Sequence, residues 1–151
     1  MKDFIRSWLE TFAFIETSKS SLSLVIYSEG GEYDSYFRPL LIALSTYRNL
    51  QLCYLSSDPA DPLLQEETDN VASYYVGNGT ARTYLMRRLK ADVIIMTMPD
   101  LNTFHIKRSP ECKNYVYFHH SMVSTHMVYR KSAFDHFDTI LCVGPHHMDE
   151  I

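Results

Sequence analysis

Short apolar runs of strand length alternate along this chain with segments whose apolar residues recur every three or four positions, and that alternation predicts an α/β fold. The runs are near-continuously hydrophobic and are bounded by Gly, Pro and polar turn residues, as strands buried on both faces are. Crossover connections between them place helices on both faces of a parallel sheet, which is a Rossmann-like arrangement. The 151-residue length suits one such domain, large enough to bury about two-thirds of its unfolded surface.

Asp3 to Ile15 places Phe4, Ile5, Trp8, Leu9, Phe12 and Ile15 at helical spacing, so residues 1–18 read as an amphipathic helix ahead of an α/β domain over 19–151. Thr17 to Ser21 is a polar connector. Leu22 to Tyr27 is the first buried strand, closed by Ser28-Glu29-Gly30-Gly31. Phe37, Leu40, Leu41, Leu44 and Tyr47 mark a helix that tolerates Pro39 in its first turn. Leu50 to Leu55 is a second strand. Asp58 to Thr68, with Pro59, Pro62, Asp61, Glu66 and Glu67, reads as a solvated loop, and Val71 to Val76 as a third strand ending at Gly77-Asn78-Gly79. Ala81, Leu85 and Leu89 share one stripe of a helix over Thr80 to Lys90, with Arg82, Arg87, Arg88 and Lys90 off it. Strands follow over Ala91 to Met98, stopped by Pro99-Asp100, and over Tyr115 to His119. Val123, Met127, Phe134 and Phe137 predict a further helix, and Thr139 to Val143 a last strand ending at Gly144-Pro145.

With 46% hydrophobic and 21% charged residues the composition is that of a soluble globular protein. A formal net charge of -4 lacks the basic excess of a general nucleic-acid binder, so no nucleic-acid partner is expected. Cys53, Cys112 and Cys142 are too few for a disulfide framework and suit a reducing, cytoplasmic setting. No apolar run approaches the roughly 18 residues that span a bilayer, and no signal-peptide pattern opens the chain. The first helix has two readings: packing on the domain or a partner, or peripheral contact with a membrane. Its polar face carries Asp3, Arg6, Glu10 and Glu16, unlike the Lys-rich face that anionic lipid favours.

In an open parallel sheet ligands bind beyond the carboxyl ends of the strands. Here those segments are Ser28 to Gly31, Met98 to Asp100, His119 to Ser121 and Gly144 to His147. Gly30 and Gly31 allow a sharp turn with N–H groups exposed near a helix start, suited to a phosphate or equally to a plain strand-to-helix turn. His119 and His120 point to opposite faces, so one of them faces the site, where an imidazole of near-neutral pKa serves as a general base. The N–H groups of Ser121 to Ser124 suit an anion at the next helix, which carries Thr125, His126 and Arg130. Adjacent histidines on a strand diverge, and no nearby Cys or carboxylate completes a zinc spacing, so no metal is expected. A G-x-S-x-G elbow of a serine hydrolase is missing from the sequence.

The stretch Tyr115-Val-Tyr-Phe-His-His-Ser-Met-Val-Ser-Thr-His-Met-Val-Tyr-Arg130, continued by Ala133 through Ile151, resembles the CDP-glycerol:poly(glycerophosphate) glycerophosphotransferase family. The resemblance runs from about Leu22 onward and is most specific from Tyr115. It implies a glycosyltransferase B-type architecture of two Rossmann-like halves, of which this chain is the N-terminal, acceptor-side one. The CDP-glycerol donor is then expected in a second domain outside these residues, and the transfer itself uses no metal or other cofactor. The family's base histidine falls on His120, before the small residue Ser121, with His119 as the alternative because His-His-Ser-Met stands here where Trp-His-Gly-Thr is usual. Ser28, Gly30, Gly31, Ser121, Ser124, Thr125, His126 and Arg130 are then expected around a phosphorylated polyol or glycolipid acceptor, in teichoic-acid-like polymer synthesis at the inner membrane surface. Two rivals stand beside this reading. One is a non-catalytic nucleotide- or phosphate-binding module, or a self-associating homo-oligomer; the other is half of a sugar-nucleotide transferase or epimerase.

Overall fold

The strands that the sequence predicts assemble, in a computed structural model that describes residues 1–18 and 22–151, into one six-stranded sheet. Part of the Thr17 to Ser21 connector lies outside the described residues. In chain order the elements are α1 (Lys2–Thr17), β1 (Leu22–Ser28), α2 (Asp34–Ser45), β2 (Leu52–Ser56), β3 (Val71–Tyr75) and α3 (Thr80–Met86). They continue with β4 (Ala91–Met96), β5 (Cys112–Phe118), α4 (Thr125–Val128), β6 (Thr139–Leu141) and α5 (Pro145–Glu150). The strand order is β3-β2-β1-β4-β5-β6, and every neighbouring pair is parallel. This is the doubly wound, Rossmann-like order. The chain steps outward from β1 to β3, returns to β4 beside β1, and steps outward the other way. The topological switch point therefore lies between β1 and β4.

Strand alternation divides the core into two layers. Val25 and Tyr27 of β1 enter the layer closed by Phe14 of α1, by Leu85 and Met86 of α3, and by Leu101 and Ile106 from the connection after β4. Leu24 and Ile26 enter the other, closed by Phe37 and Leu41 of α2 and by Leu63. Phe37 is fully enclosed, stacked on Phe118 at 5.9 Å and edge-on to Tyr54 at 6.3 Å. An aromatic so placed contributes about 1.5–3 kcal/mol through burial. Cys53 and Cys112 are buried as small hydrophobes, and burial pushes both thiols up to about 11.

Two expectations are corrected. The segment from Asp58 to Thr68 is not merely solvated. Asp61 is buried, where it accepts hydrogen bonds from the Tyr54 hydroxyl at 2.8 Å and the Leu63 amide at 3.0 Å, and it seats Leu63 in the α2-side core. The helix expected from Val123 to Phe137 is a single turn, α4. Tyr129 is already extended and Ser132 adopts a left-handed φ of 69°, so the chain folds back. Phe134 and Phe137 then reach Tyr117 from successive turns, at 4.6 and 5.3 Å between ring centroids, rather than from one helix face. Met127 and Val123, assigned to that face, are exposed.

Candidate functional site

The carboxyl ends of β1, β4 and β5 lie side by side, so Ser28-Glu29, Thr97 and His119-His120 gather at the switch point. The pleat of β5 sends Tyr117 and His119 to one face and Phe118 and His120 to the other, and the two histidines end in different surroundings. His119 has no exposed surface. It is walled by Tyr117 at 5.0 Å, Phe134 at 5.5 Å and Tyr129 at 5.8 Å, and is stacked on His147 at 4.2 Å. Neither of its ring nitrogens has a hydrogen-bond partner among the described residues. Burial, reinforced by His147, pushes its pKa down to about 4, so the ring is neutral at pH 7. His147 is buried too, its Nε2 donating to the Val123 carbonyl at 2.9 Å.

His120 is half-buried, and its Nδ1 is enclosed without a hydrogen-bond partner among the described residues. It stands edge-on to Tyr33 at 5.0 Å and Tyr36 at 6.1 Å. Burial lowers its pKa, with a hydrogen bond to the Phe118 backbone working against the shift. A neutral imidazole at a strand end is equipped to take a proton.

Two further polar residues that the sequence reading did not single out, Glu29 after β1 and Arg82 on α3, lie at this end of the sheet. Arg82 donates to the Tyr27 hydroxyl at 2.9 Å and the Asn78 carbonyl at 2.9 Å. The Ser57 hydroxyl donates to the Gly77 carbonyl at 2.7 Å, which leaves it to accept from Tyr27 at 2.8 Å. This relay from Arg82 through Tyr27 and Ser57 ties α3 to the ends of β1, β2 and β3. The Arg82 Nε is buried and finds no partner among the described residues, as is true of the Thr97 hydroxyl. Burial pushes the Glu29 carboxyl up, Arg82 opposes the shift, and Glu32 adds to it. Burial likewise raises the Tyr33 phenol, with Glu29, Glu32 and Tyr129 adding to the shift. The sequence signal for Glu29 was its place directly after β1; Arg82 carried none, because it arrives from a helix distant in sequence.

The residues expected to hold phosphate are differently engaged. The Ser28 hydroxyl is buried in its own turn, donating to the Gly30 carbonyl at 2.8 Å and accepting from the Gly30 amide at 3.3 Å. The Gly31 amide donates to an Asp58 carboxylate oxygen at 3.2 Å. Both amides are committed, so this turn carries Tyr33 to His120 instead of cradling an anion. At the start of α4 the expected anion is the chain's own: Glu150 accepts from the Thr125 hydroxyl at 2.7 Å and the Thr125 amide at 2.6 Å. Those bonds, with one from Ser124, pull the Glu150 carboxyl down to about 2. Arg130 is not on the helix with His126. It pairs with Asp100 and donates to the Thr103 hydroxyl at 3.0 Å. Thr125, His126, Tyr129, Arg130 and Glu150 line a cavity of about 560 Å³ whose walls include neither His120 nor Glu29, while Ser121 lies half-exposed on the loop before α4.

No protein-family model, curated protein or solved structure matches this chain. The site is therefore read from its own chemistry. Among the described residues no group of three or more His, Cys, Asp or Glu side chains is arranged to hold a metal ion. No described helix is long and apolar enough to cross a membrane. The crevice combines a neutral imidazole, a partly buried carboxyl, a guanidinium and phenol rings, a set suited to hydroxyl-bearing ligands and to proton transfer from them.

Proposed function

We propose that this domain is the acceptor-side half of a glycerophosphotransferase-like enzyme, binding a phosphorylated polyol or glycolipid acceptor at the switch-point crevice. The observation that carries the reading is His120, a half-buried imidazole at the end of β5 beside Tyr33 and Tyr36, its pKa lowered by burial. His119 beside it is enclosed on all sides and cannot reach a substrate. In the transfer, an acceptor hydroxyl gives its proton to the free nitrogen of His120 as its oxygen bonds the β-phosphorus of CDP-glycerol. The bond from that phosphorus to the CMP oxygen breaks, and CMP leaves with the electron pair. Glu29 accepts a hydrogen bond from a neighbouring acceptor hydroxyl, and Tyr33 and Tyr36 confine the ligand beside the base. Placing nucleophile and base together is worth several orders of magnitude in rate. The CDP-glycerol donor is assigned to a second domain, and the envelope polymer as product follows from the sequence resemblance.

The test is acceptor binding followed residue by residue. Titrating the isotopically labelled 151-residue chain with a short oligomer of glycerol phosphate is expected to shift His120, Tyr33 and Glu29 saturably, with Glu29→Gln weakening the binding about tenfold. Shifts confined to the Thr125 to Ser132 cavity, or none, would refute the site. Release of CMP from CDP-glycerol by this chain alone would refute the division of labour.

A further inference from the structure

The loop that joins β3 to α3 reads Gly77-Asn78-Gly79, and the candidate site draws on it only for the backbone carbonyls of Gly77 and Asn78. The Asn78 side chain has no part there. Of Asn49, Asn70, Asn78, Asn102 and Asn114, only Asn78 is followed by glycine. That pairing has a chemistry of its own. The main-chain nitrogen of the next residue can attack a side-chain amide and close a cyclic imide, and the next residue's side chain is the main hindrance to the approach. Glycine has none.

The fold leaves both reactants free. Asn78 and Gly79 are exposed, and the Asn78 side chain makes no hydrogen bond among the described residues. The Gly79 amide, at the N-cap of α3, has no acceptor among them either. Space around Gly79 is open, since a Cβ built there would meet nothing within 4 Å. Asn70, by contrast, donates its side-chain amide to the Ser45 carbonyl at 3.0 Å and is followed by the β-branched Val71. One contact activates the Asn78–Gly79 peptide. Arg82 donates to the Asn78 carbonyl at 2.9 Å, and a cation on that oxygen draws electrons from the peptide, so the Gly79 N–H is more easily deprotonated.

We propose that Asn78 is a self-modification site, converted through the Gly79 nitrogen to aspartate and isoaspartate, and that the product releases Tyr27 from Arg82. In the first step the Gly79 amide gives its proton to solvent and its nitrogen bonds Asn78 Cγ. The bond from Cγ to Nδ2 breaks, and ammonia leaves with the electron pair after taking a proton from water. In the second step one water opens the cyclic imide. Breaking the bond between Cγ and the nitrogen gives aspartate. Breaking the bond between the main-chain carbonyl carbon and the nitrogen gives isoaspartate, with the backbone rerouted through the side chain. Either product sets a carboxylate four residues before Arg82, the spacing of a helical ion pair. That carboxylate competes for the guanidinium that holds the Tyr27 hydroxyl at 2.9 Å. Isoaspartate also displaces the carbonyl that Arg82 grips. The relay through Tyr27 and Ser57 then loses its cation, and the strand ends lose their tie to α3. This inference does not depend on the transfer reaction proposed above.

The experiment ages the folded 151-residue chain for days at mildly alkaline pH and maps its tryptic peptides by mass spectrometry against an unaged sample. The peptide from Asn49 to Arg82 contains Asn49, Asn70 and Asn78, so fragment ions compare the three within one molecule. Conversion at Asn78 about tenfold ahead of the other two is expected, and Gly79→Ala should slow it about tenfold by crowding the attack. In the aged chain and in Asn78→Asp alike, the Arg82 Nε and Tyr27 ring resonances should move. In aged Asn78→Gln, whose longer side chain closes the ring far more slowly, they should stay. The proposal is overturned by an Asn78 that stays intact in the folded chain, or by Gly79→Ala converting as fast. Arg82 and Tyr27 signals that do not move in the modified chain would also overturn it.

Discussion

His119 is the residue whose environment departs furthest from what adjacent sequence suggests, and it links pH to stability. Its imidazole is neutral in the fold down to about pH 4, whereas in the unfolded chain it takes up a proton near 6.5. Between those values the unfolded state binds more protons, so folding stability falls as pH drops from about 6.5 to about 4, by on the order of 3 kcal/mol. Urea unfolding midpoints measured across that range should decline. His119→Phe, which keeps an aromatic against Tyr117 and Phe134 and removes both unpartnered nitrogens, should flatten the decline. An unchanged slope in the variant would place the titration elsewhere. Glu150 acts in the same direction at lower pH: its carboxyl is held at about 2 by Thr125 and Ser124 and loses those bonds only when protonated. Thr125→Val should therefore raise its titration midpoint toward 4.5, as followed by carboxyl carbon shifts, and a midpoint still near 2 would assign the shift to Ser124 and the backbone amide.

At the scale of elements, the strands and the first three helices were legible because their patterns are local: each apolar run or stripe lies within one segment and has one period. Their ends were less so. The strand read as Ala91 to Met98 stops at Met96, and the helix read to Lys90 stops at Met86, because pairing and capping set the ends. The failure at Val123 to Phe137 has a different cause. Phe134 and Phe137 are apolar at helical spacing, yet Tyr117 offers them a ring surface that they reach only from turns, so tertiary packing overrode the period. The α1 to β3 junction offers a check on packing between elements. Gly77 has a φ of 65° and lies against Ser7, so Gly77→Ala combines a left-handed backbone with a tight contact. A loss of about 1–2 kcal/mol in chemical denaturation is expected; a neutral substitution would mean that α1 is not firmly seated there.

Across the whole molecule, the strand order places Glu29, Thr97 and His120 in one crevice although long stretches of chain separate them. The sequence pointed to the strand ends as the place for chemistry, and the pair His119-His120 as the group to watch. It could not say which histidine was reachable, since that depends on Tyr129, Phe134 and His147 closing over one of them. It also read free amides at Gly30 and Gly31 and an anion at the start of α4, where the fold supplies Ser28, Asp58 and, at Thr125, Glu150 as partners, because a donor's availability depends on groups brought near it from elsewhere in the chain. By itself, then, the sequence determined the class of fold and the alternation of its layers. Those follow from local periodicity and from the handedness of crossovers. Only the tertiary structure decided which polar groups are spent on the fold, which imidazole is fully enclosed, and that α1 turns its apolar side to the solvent. Each of these is a contact between residues distant in sequence, and periodicity carries no record of it.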